Sequence, residues 1–389
     1  MIHTILRIIE VVAVLGCFSS SIYYLLCLWS AVAFTRECTR AENLRSQQEW
    51  PPVSILKPLR GADPGMSESF RSHCLQDYPE YELIFGVHEA DDPAIESVLR
   101  LQSEFPDLRI QLVVCPQTLG ANVKVSNLIQ MLAGARYEHL IVNDSDIRVE
   151  ADYLRRVIPA LTEPQIGLIT CLYRGIAAGS LGSLLEALGI STDFCAGVLA
   201  ARQLEGIRFG LGSTLAFRRA DLEKIGGFAA VADYLADDYE LGKRISDLGM
   251  KVRLSDAVVD TILPAYPLRD FLAHQLRWVR GVRDSRPGGY FGLISTFGLA
   301  WALLVLMASR GELWAWGVLG IILFLRIAEA LIVGLIALGD RQVLKYCWLI
   351  PVRDVIAVFI WMAGSFGKTV IWRGNRFCLK NGKLIRMAQ

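Results

Sequence analysis

Residues 139–149 run His139-Leu140-Ile141-Val142-Asn143-Asp144-Ser145-Asp146-Ile147-Arg148-Val149. The apolar, partly β-branched run predicts a buried strand, and the polar block after it predicts the turn at its carboxyl end. Similar short runs lie at Val53–Leu56, Leu83–Val87, Ile110–Val114 and Gly167–Cys171. Helical patterns separate them over Ser67–Gln76, Ala94–Phe105, Val123–Leu132 and Tyr153–Leu161. Strand–helix alternation predicts an α/β domain with a mostly parallel, Rossmann-like sheet covered by helices on both faces. Such sheets bind ligands beyond the carboxyl ends of their strands.

Three of those ends are charged. Lys57-Pro58-Leu59-Arg60-Gly61 follows the first strand, His88-Glu89-Ala90-Asp91-Asp92-Pro93 the second and Asn143-Asp144-Ser145-Asp146 the fourth. Asp91 or Asp92 before Pro93 suits a helix cap with proline at the first helical position. Asp144 and Asp146, two residues apart after a buried strand, can share a hard divalent cation, Mg or Mn. Such a cation would neutralise a diphosphate leaving group. Asp237-Asp238-Tyr239-Glu240 opens a helical pattern running through Leu248. Acids there suit the positive end of a helix, and one of them can also serve as a general base.

Hydrophobic residues make up 53% of the 389, and the surplus sits at the two ends of the chain. Val11 to Phe34 is 24 residues without a charge, enough for a bilayer span and too long for the core of a signal peptide. Arg36, Arg40 and Arg45 follow it, against Arg7 and the amino terminus before it, a bias that places the downstream domain in the cytoplasm. Phe291–Ser309 and Leu313–Gly339 predict a helical hairpin turning at Arg310-Gly311-Glu312. Arg326 and Glu329 can pair on one face of its second helix. Val355–Phe366 is too short to span and reads as re-entrant or interfacial. The stretch Phe271–Arg280 is amphipathic and reads as an interfacial helix. The expected organisation is an anchor over 1–35, an α/β domain over 50–265, an interfacial helix over 266–289, and membrane helices with a basic tail over 290–389. An integral protein of a bacterial inner membrane or a eukaryotic endomembrane follows. A net charge of +1 lends no support to nucleic-acid binding, and nine scattered cysteines without a C-x-x-C pair suit a reduced compartment.

Taken in order, Lys57-Pro58-Leu59-Arg60-Gly61, Asp91-Asp92-Pro93-Ala94-Ile95, Asp144 with Ile147-Arg148-Val149, Asp237-Asp238-Tyr239 and Arg277-Trp278 resemble the ceramide glucosyltransferase family. That family is a branch of the GT-A inverting glycosyltransferases. The likeness runs from about residue 50 to 285, and Trp372-Arg373-Gly374-Asn375-Arg376 resembles the family's tail. The resemblance implies a GT-A fold and transfer of glucose or N-acetylglucosamine from a UDP-sugar to a membrane-lipid hydroxyl. It implies that Asp92 sits at the base and ribose and that Asn122, Lys124 and Asn127 hold the uridine diphosphate, with Lys57 among the donor residues. It makes Asp144 and Asp146 the metal ligands and Asp238 the catalytic base. Arg277 and Trp278 would close on the diphosphate and the acceptor. Gly212, Ser213, Asp237, His274 and the Gly226-Gly227-Phe228 loop would lie near the sugar and acceptor. These roles require Asp92, Asp144, Asp238 and Arg277 to converge on one cleft.

Three positions depart from the family pattern. His274 stands where the motif has Gln or Arg, Asp146 replaces a glycine, and Ser191-Thr192-Asp193-Phe194 lacks a histidine near the acceptor. The last leaves the acceptor open between ceramide and a hopanoid, because bacterial hopanoid N-acetylglucosaminyltransferases resemble this branch too. Two other readings stand beside it. A polysaccharide synthase of the same superfamily would need more membrane helices than this chain offers. A non-catalytic membrane scaffold would have no use for the intact acidic set.

Overall fold

The computed structural model describes residues 2–44, 49–63, 65–372 and 375–387. Arg45, Arg373 and Gly374, which entered the sequence reading, lie outside the described residues. The chain forms two compact units. One comprises Met1–Arg36, Gly179–Glu205 and Tyr266–Ile371; the other comprises Glu37–Ala178, Gly206–Ala265 and Trp372–Gln389.

The second unit is built on an eight-stranded sheet. Its strands are β1 (Val53–Pro58), β2 (Tyr81–Val87), β3 (Ile110–Val114), β4 (His139–Val142), β5 (Ile147–Arg148), β6 (Ile166–Ile176), β7 (Leu215–Arg218) and β8 (Lys251–Ile262). They lie in the order β3-β2-β1-β4-β7-β6-β8-β5. The first four in that order run parallel, as do β6 and β8; β7 opposes both its neighbours and β5 opposes β8. The expected mostly parallel GT-A-type α/β sheet is therefore present. All six residues of β1 are buried, the polar Ser54 and Lys57 included, as expected of a strand covered on both faces. Pairing of Leu56 with Val142 brings Lys57 level with Asn143, at the ends where β1 and β4 release the chain.

Helices Met66–Cys74, Ala94–Glu104 and Val123–Met131 match their expected spans within two residues. The fourth is shorter, Tyr153–Val157, with a 3-10 turn over Pro159–Thr162, because Pro159 has no N–H to continue the ladder. β7 and β8 escaped the sequence reading. β7 is only four residues long, and β6 and β8 pair with a register shift between Thr170 and Leu172, opposite the polar pair Ser255-Asp256 that breaks the apolar alternation of β8. The carboxy-terminal residues form a hairpin, Asn375–Lys380 against Lys383–Arg386, and belong to this unit. Asn381 and Gly382 at its tip have φ of 53° and 78°, the left-handed pair that a two-residue hairpin turn requires.

The first unit is helical. Helix Ile2–Leu44 buries Ala13, Cys17, Tyr24, Cys27, Ala31 and Phe34 along one stripe. Ala13, Cys17 and Tyr24 of that stripe pack in one cluster with Ala302, Val305, Ala315 and Ile322. Val11, Leu15, Phe18, Ile22, Leu25 and Trp29 stay exposed on other faces, an apolar surface that suits hydrocarbon and not water. Among the described residues three helices are long and apolar enough to cross a membrane: His3–Arg40, Leu181–Glu205 and Leu313–Ala337. A pair bent by 52°, Pro287–Thr296 with Gly298–Ala308, makes a fourth if it is one span. Helix Ile350–Gly364 has 15 residues, short of a span.

The segment Leu181–Glu205 was expected inside the α/β domain, but its contacts group it with the helical unit. Glu186, Ser191 and Asp193 hide its apolar character in the sequence, and tertiary partners answer each of them. Glu186 meets His274 Nδ1 at 2.7 Å and accepts from the Tyr266 hydroxyl; Ser191 donates to Asp340 at 2.7 Å; Asp193 pairs with Arg353 at 2.7 Å. Arg326 and Glu329 do pair, and the pair is part of a network. Arg326 forks onto both oxygens of Asp354, at 2.8 and 2.9 Å, and donates to the Thr192 carbonyl at 3.0 Å.

Removing that cation leaves Glu329 buried without a counter-charge and takes the forked partner from the half-buried Asp354, whose remaining cation, Arg353, stands at 4.0 Å. Arg326→Met should cost roughly 3–5 kcal/mol, read as a lower midpoint of thermal unfolding in detergent. Adding Asp354→Asn and Glu329→Gln should recover most of the loss.

Candidate active site

The site grows from the junction of β1 and β4. Lys57 is fully buried, and its ammonium donates to the carbonyls of Asp144 at 2.9 Å and Ile147 at 3.4 Å. It pins the acidic turn to the sheet rather than presenting a free charge. Burial pulls it down to about 7, while Asp146 and Asp144 pull the other way. Beneath the turn, Asn143 donates to the Ser213 carbonyl at 2.7 Å, the Tyr153 hydroxyl at 3.0 Å and Thr214 at 3.2 Å. Ser213 donates in turn to the Cys171 carbonyl at 2.9 Å. This buried network ties the turn to the loop before β7. Sequence reasoning gave Asn143, Tyr153 and Thr214 no role; the one available signal was that Asn143 is the first polar residue after a buried strand.

Helix Val123–Met131 supplies the cation. Asn122 caps it, accepting from the Val125 N–H at 3.3 Å, and its amide donates to the Tyr234 carbonyl at 2.9 Å and Asp237 Oδ1 at 3.2 Å. Two residues on, Lys124 Nζ lies 2.7 Å from Asp144 Oδ1 and 3.2 Å from Asp237 Oδ2. Burial alone would favour its neutral amine. Asp144, Asp237 and Asp238 outweigh that and hold the ammonium above its ordinary range. Asn127, one turn further along, is buried, and its Oδ1 has no hydrogen-bond partner among the described residues.

Asp237 and Asp238 open helix Asp237–Asp247. Gly242 on that helix seats it against the chain before Ser213, since a Cβ there would fall 2.1 Å from the Gly210 nitrogen. Asp238 then points toward Gly212. A Cβ on Gly212 would stand 2.9 Å from Asp144 Oδ2 and 3.2 Å from Asp238 Oδ2. Two carboxylates from distant parts of the chain thus converge over a strip of bare backbone. Burial, then the charge of Asp237, pushes the Asp238 carboxyl up to about 6, where it can take a proton near neutral pH. Asp146 is also pushed up to about 6, by burial and then by Asp144, and it accepts from the Thr261 hydroxyl.

Asp92 takes the capping role foreseen for an acid before Pro93, and a second backbone role that was not foreseen. It accepts from the Ala94 N–H at 2.9 Å and from the Gly61 N–H at 3.0 Å with each oxygen, so it fixes the loop after β1. His274, Arg277 and Trp278 stand on helix Leu268–Ser285 of the helical unit. There Trp278 packs against His274 at 5.1 Å and Phe194 at 6.2 Å between ring centres. Gly226 and Gly227 form a turn with φ of 89° and 65°.

Among the described residues no three His, Cys, Asp or Glu side chains form a ready-made metal cage. Asp144 and Asp146 nevertheless fit a cation shared with a ligand. Mg²⁺-type sites often use one or two carboxylates and complete their shell with substrate phosphates. Asp144, more than a third exposed, is open to such a ligand, and a cation would relieve the repulsion that lifts Asp146.

The profile of glycosyl transferase family 21 matches residues 12–385. Ceramide glucosyltransferase 1 of Caenorhabditis elegans is 24% identical over 98% of this chain and 82% of its own length. Ceramide glucosyltransferase of Komagataella phaffii is 29% identical over 40% of this chain and 31% of its own. Among solved structures, the mannosyltransferase PcManGT from Pyrobaculum calidifontis, in complex with GDP-Man and Mn2+, superposes with a TM-score of 0.50 at 19% identity, covering 92% of this chain and 99% of that one. At that identity the likeness is one of fold.

Gly212 has no left-handed backbone requirement, so alanine is tolerated by the chain and refused by the site. Gly212→Ala should lower turnover at least about 100-fold, the scale of a roughly 1 Å misplacement of reacting groups, with the thermal midpoint unchanged. Turnover within about twofold of the parent would show that the space over Gly212 is not where reaction occurs.

Proposed function

The chain belongs to glycosyl transferase family 21, and from that premise we propose that this hexosyltransferase moves glucose or N-acetylglucosamine from a UDP-sugar to a membrane-lipid hydroxyl with inversion. The convergence of Asp144 and Asp238 on Gly212, beside the Lys124 ammonium, carries the proposal. Ceramide is the favoured acceptor, supported by curated relatives with that activity in their names, one of them matched along nearly the whole chain.

Asp238 accepts the proton of the acceptor hydroxyl. The hydroxyl oxygen attacks the anomeric carbon from the face opposite the diphosphate. The bond from that carbon to the diphosphate oxygen breaks, and its electron pair leaves with UDP. One displacement inverts the anomeric centre and needs no covalent sugar–enzyme intermediate. Lys124 holds positive charge beside the carboxylates throughout, and fixed charge of this kind stabilises the transition state without reorganisation. A divalent cation on Asp144 and Asp146, when bound, would add charge stabilisation to the departing diphosphate. Arg277 and Trp278 are proposed, on the resemblance alone, to act on the diphosphate and acceptor. The apolar helices and the basic residues after the first of them support a membrane protein with a cytoplasmic catalytic unit.

Membranes carrying the protein should convert labelled UDP-glucose or UDP-N-acetylglucosamine, with ceramide or a hopanoid added, into a one-sugar glycolipid. A polymeric product would favour a polysaccharide synthase, and no lipid product with either donor would end the proposal. Asp238→Asn should lower kcat roughly 10²–10⁴-fold, leaving a small residual rate. A base at about 6 is ionised above that pH and protonated below it, so kcat/KM should fall as pH drops through about 6 and level off above. Chelation of divalent ions should stop the reaction, and Mn²⁺ or Mg²⁺ should restore it.

A further inference from the structure

The segment 232–236 leads into Asp237 and Asp238 without regular structure of its own, and two neighbours hold it. On one side lies the cap of helix Val123–Met131. There Asn122 N donates to the Ala232 carbonyl at 2.8 Å, Ala121 N to Asp233 Oδ1 at 2.9 Å and the Asn122 amide to the Tyr234 carbonyl at 2.9 Å. On the other side lies the carboxy-terminal hairpin. Leu384 N donates to the Asp233 carbonyl at 2.7 Å, and Leu235 N donates to the Gly382 carbonyl at 3.0 Å. Tyr234 and Lys383 form an antiparallel bridge between these two bonds. The Tyr234 ring takes the Lys383 ammonium at 5.4 Å and the Arg244 guanidinium at 5.6 Å.

The hairpin is firm enough to act as a template. Phe377, Leu379 and Leu384 are buried, and the left-handed Asn381-Gly382 turn fixes its register. Its edge therefore adds a short stretch of β-pairing to a loop that ends two residues before Asp238.

We propose that the carboxy-terminal hairpin is a positioning element of the transfer reaction, with Leu384 and Tyr234 setting the loop that aims the Asp238 carboxylate. The inference rests on Asp238 as the base. Neither residue touches the reacting atoms. Both act through the loop, so a displaced hairpin turns the carboxylate away while the donor residues on helix Val123–Met131 stay in place.

The test uses the full chain in membranes. Tyr234→Ala should lower kcat about 10-fold and Leu384→Pro, which removes the N–H to Asp233, about 100-fold, the scale of small misplacements of a reacting group. The donor KM should stay within about twofold. Tyr234→Phe keeps the ring and should retain kcat. In an Asp238→Asn background neither Tyr234→Ala nor Leu384→Pro should lower the residual rate further, because the positioned group is already gone. The same fold-loss in that background as in the parent would overturn the hairpin's role, as would an unchanged kcat with only a lower thermal midpoint. If Leu384→Pro does not fold, the Tyr234 pair, with its backbone intact, decides the matter. Parental activity in Asp238→Asn alone would remove the base itself, an outcome read separately from the hairpin variants.

Discussion

One ammonium group organises the acidic site. Lys124 Nζ sits within 3.2 Å of carboxylate oxygens from Asp144 and Asp237, and Asp238 is close enough to add to its field. Carboxylates gathered this tightly repel one another, and burial adds a penalty to each charge. A cation fixed on a capped helix makes the gathering possible before any ligand arrives. Asn122 is the hinge of this arrangement, because the same side chain caps the helix that carries Lys124 and bonds the loop that carries Asp237. The donor-side helix and the base-side helix are thus positioned by one buried amide.

The remaining constraints keep that charge cluster open on one side. Gly242 lets the Asp237–Asp247 helix approach Gly210, and Gly212 leaves bare backbone under the two facing carboxylates. Lys57 and Asn143 hold the turn from below through backbone carbonyls and hydroxyls rather than through the carboxylates. The acidic oxygens of Asp144 therefore remain for Lys124 and for a ligand. The helical unit treats charge in the opposite way. Arg326, Glu329 and Asp354 close on each other, as isolated charge in an apolar surrounding is costly and pairing lowers that cost.

The first four strands and the acidic turn after β4 were legible because buried parallel strands write themselves as short, mainly apolar runs, interrupted by no more than a residue such as Ser54, Glu82 or Gln111, with polar ends. The expected pairing of Arg326 with Glu329 was legible from spacing alone, while Asp354 as third partner was not, being on another helix. Helix Leu181–Glu205 was hidden because its polar residues read as domain surface until Tyr266, His274, Asp340 and Arg353 appear beside them. The carboxy-terminal hairpin had a local signal, Asn381-Gly382, that a reading focused on basic charge passed over.

By itself the sequence determined the sheet type, the apolar helices near the two ends of the chain and the family, since these depend on periodicity, run length and ordered motifs, all local properties. Only the tertiary structure decided that Lys57 serves the backbone, that Lys124 is the cation among the acids, and that Asp144 and Asp238 meet over Gly212. Those facts depend on distances between residues far apart in the chain, which strand register and glycine-permitted close approach set and no local pattern encodes.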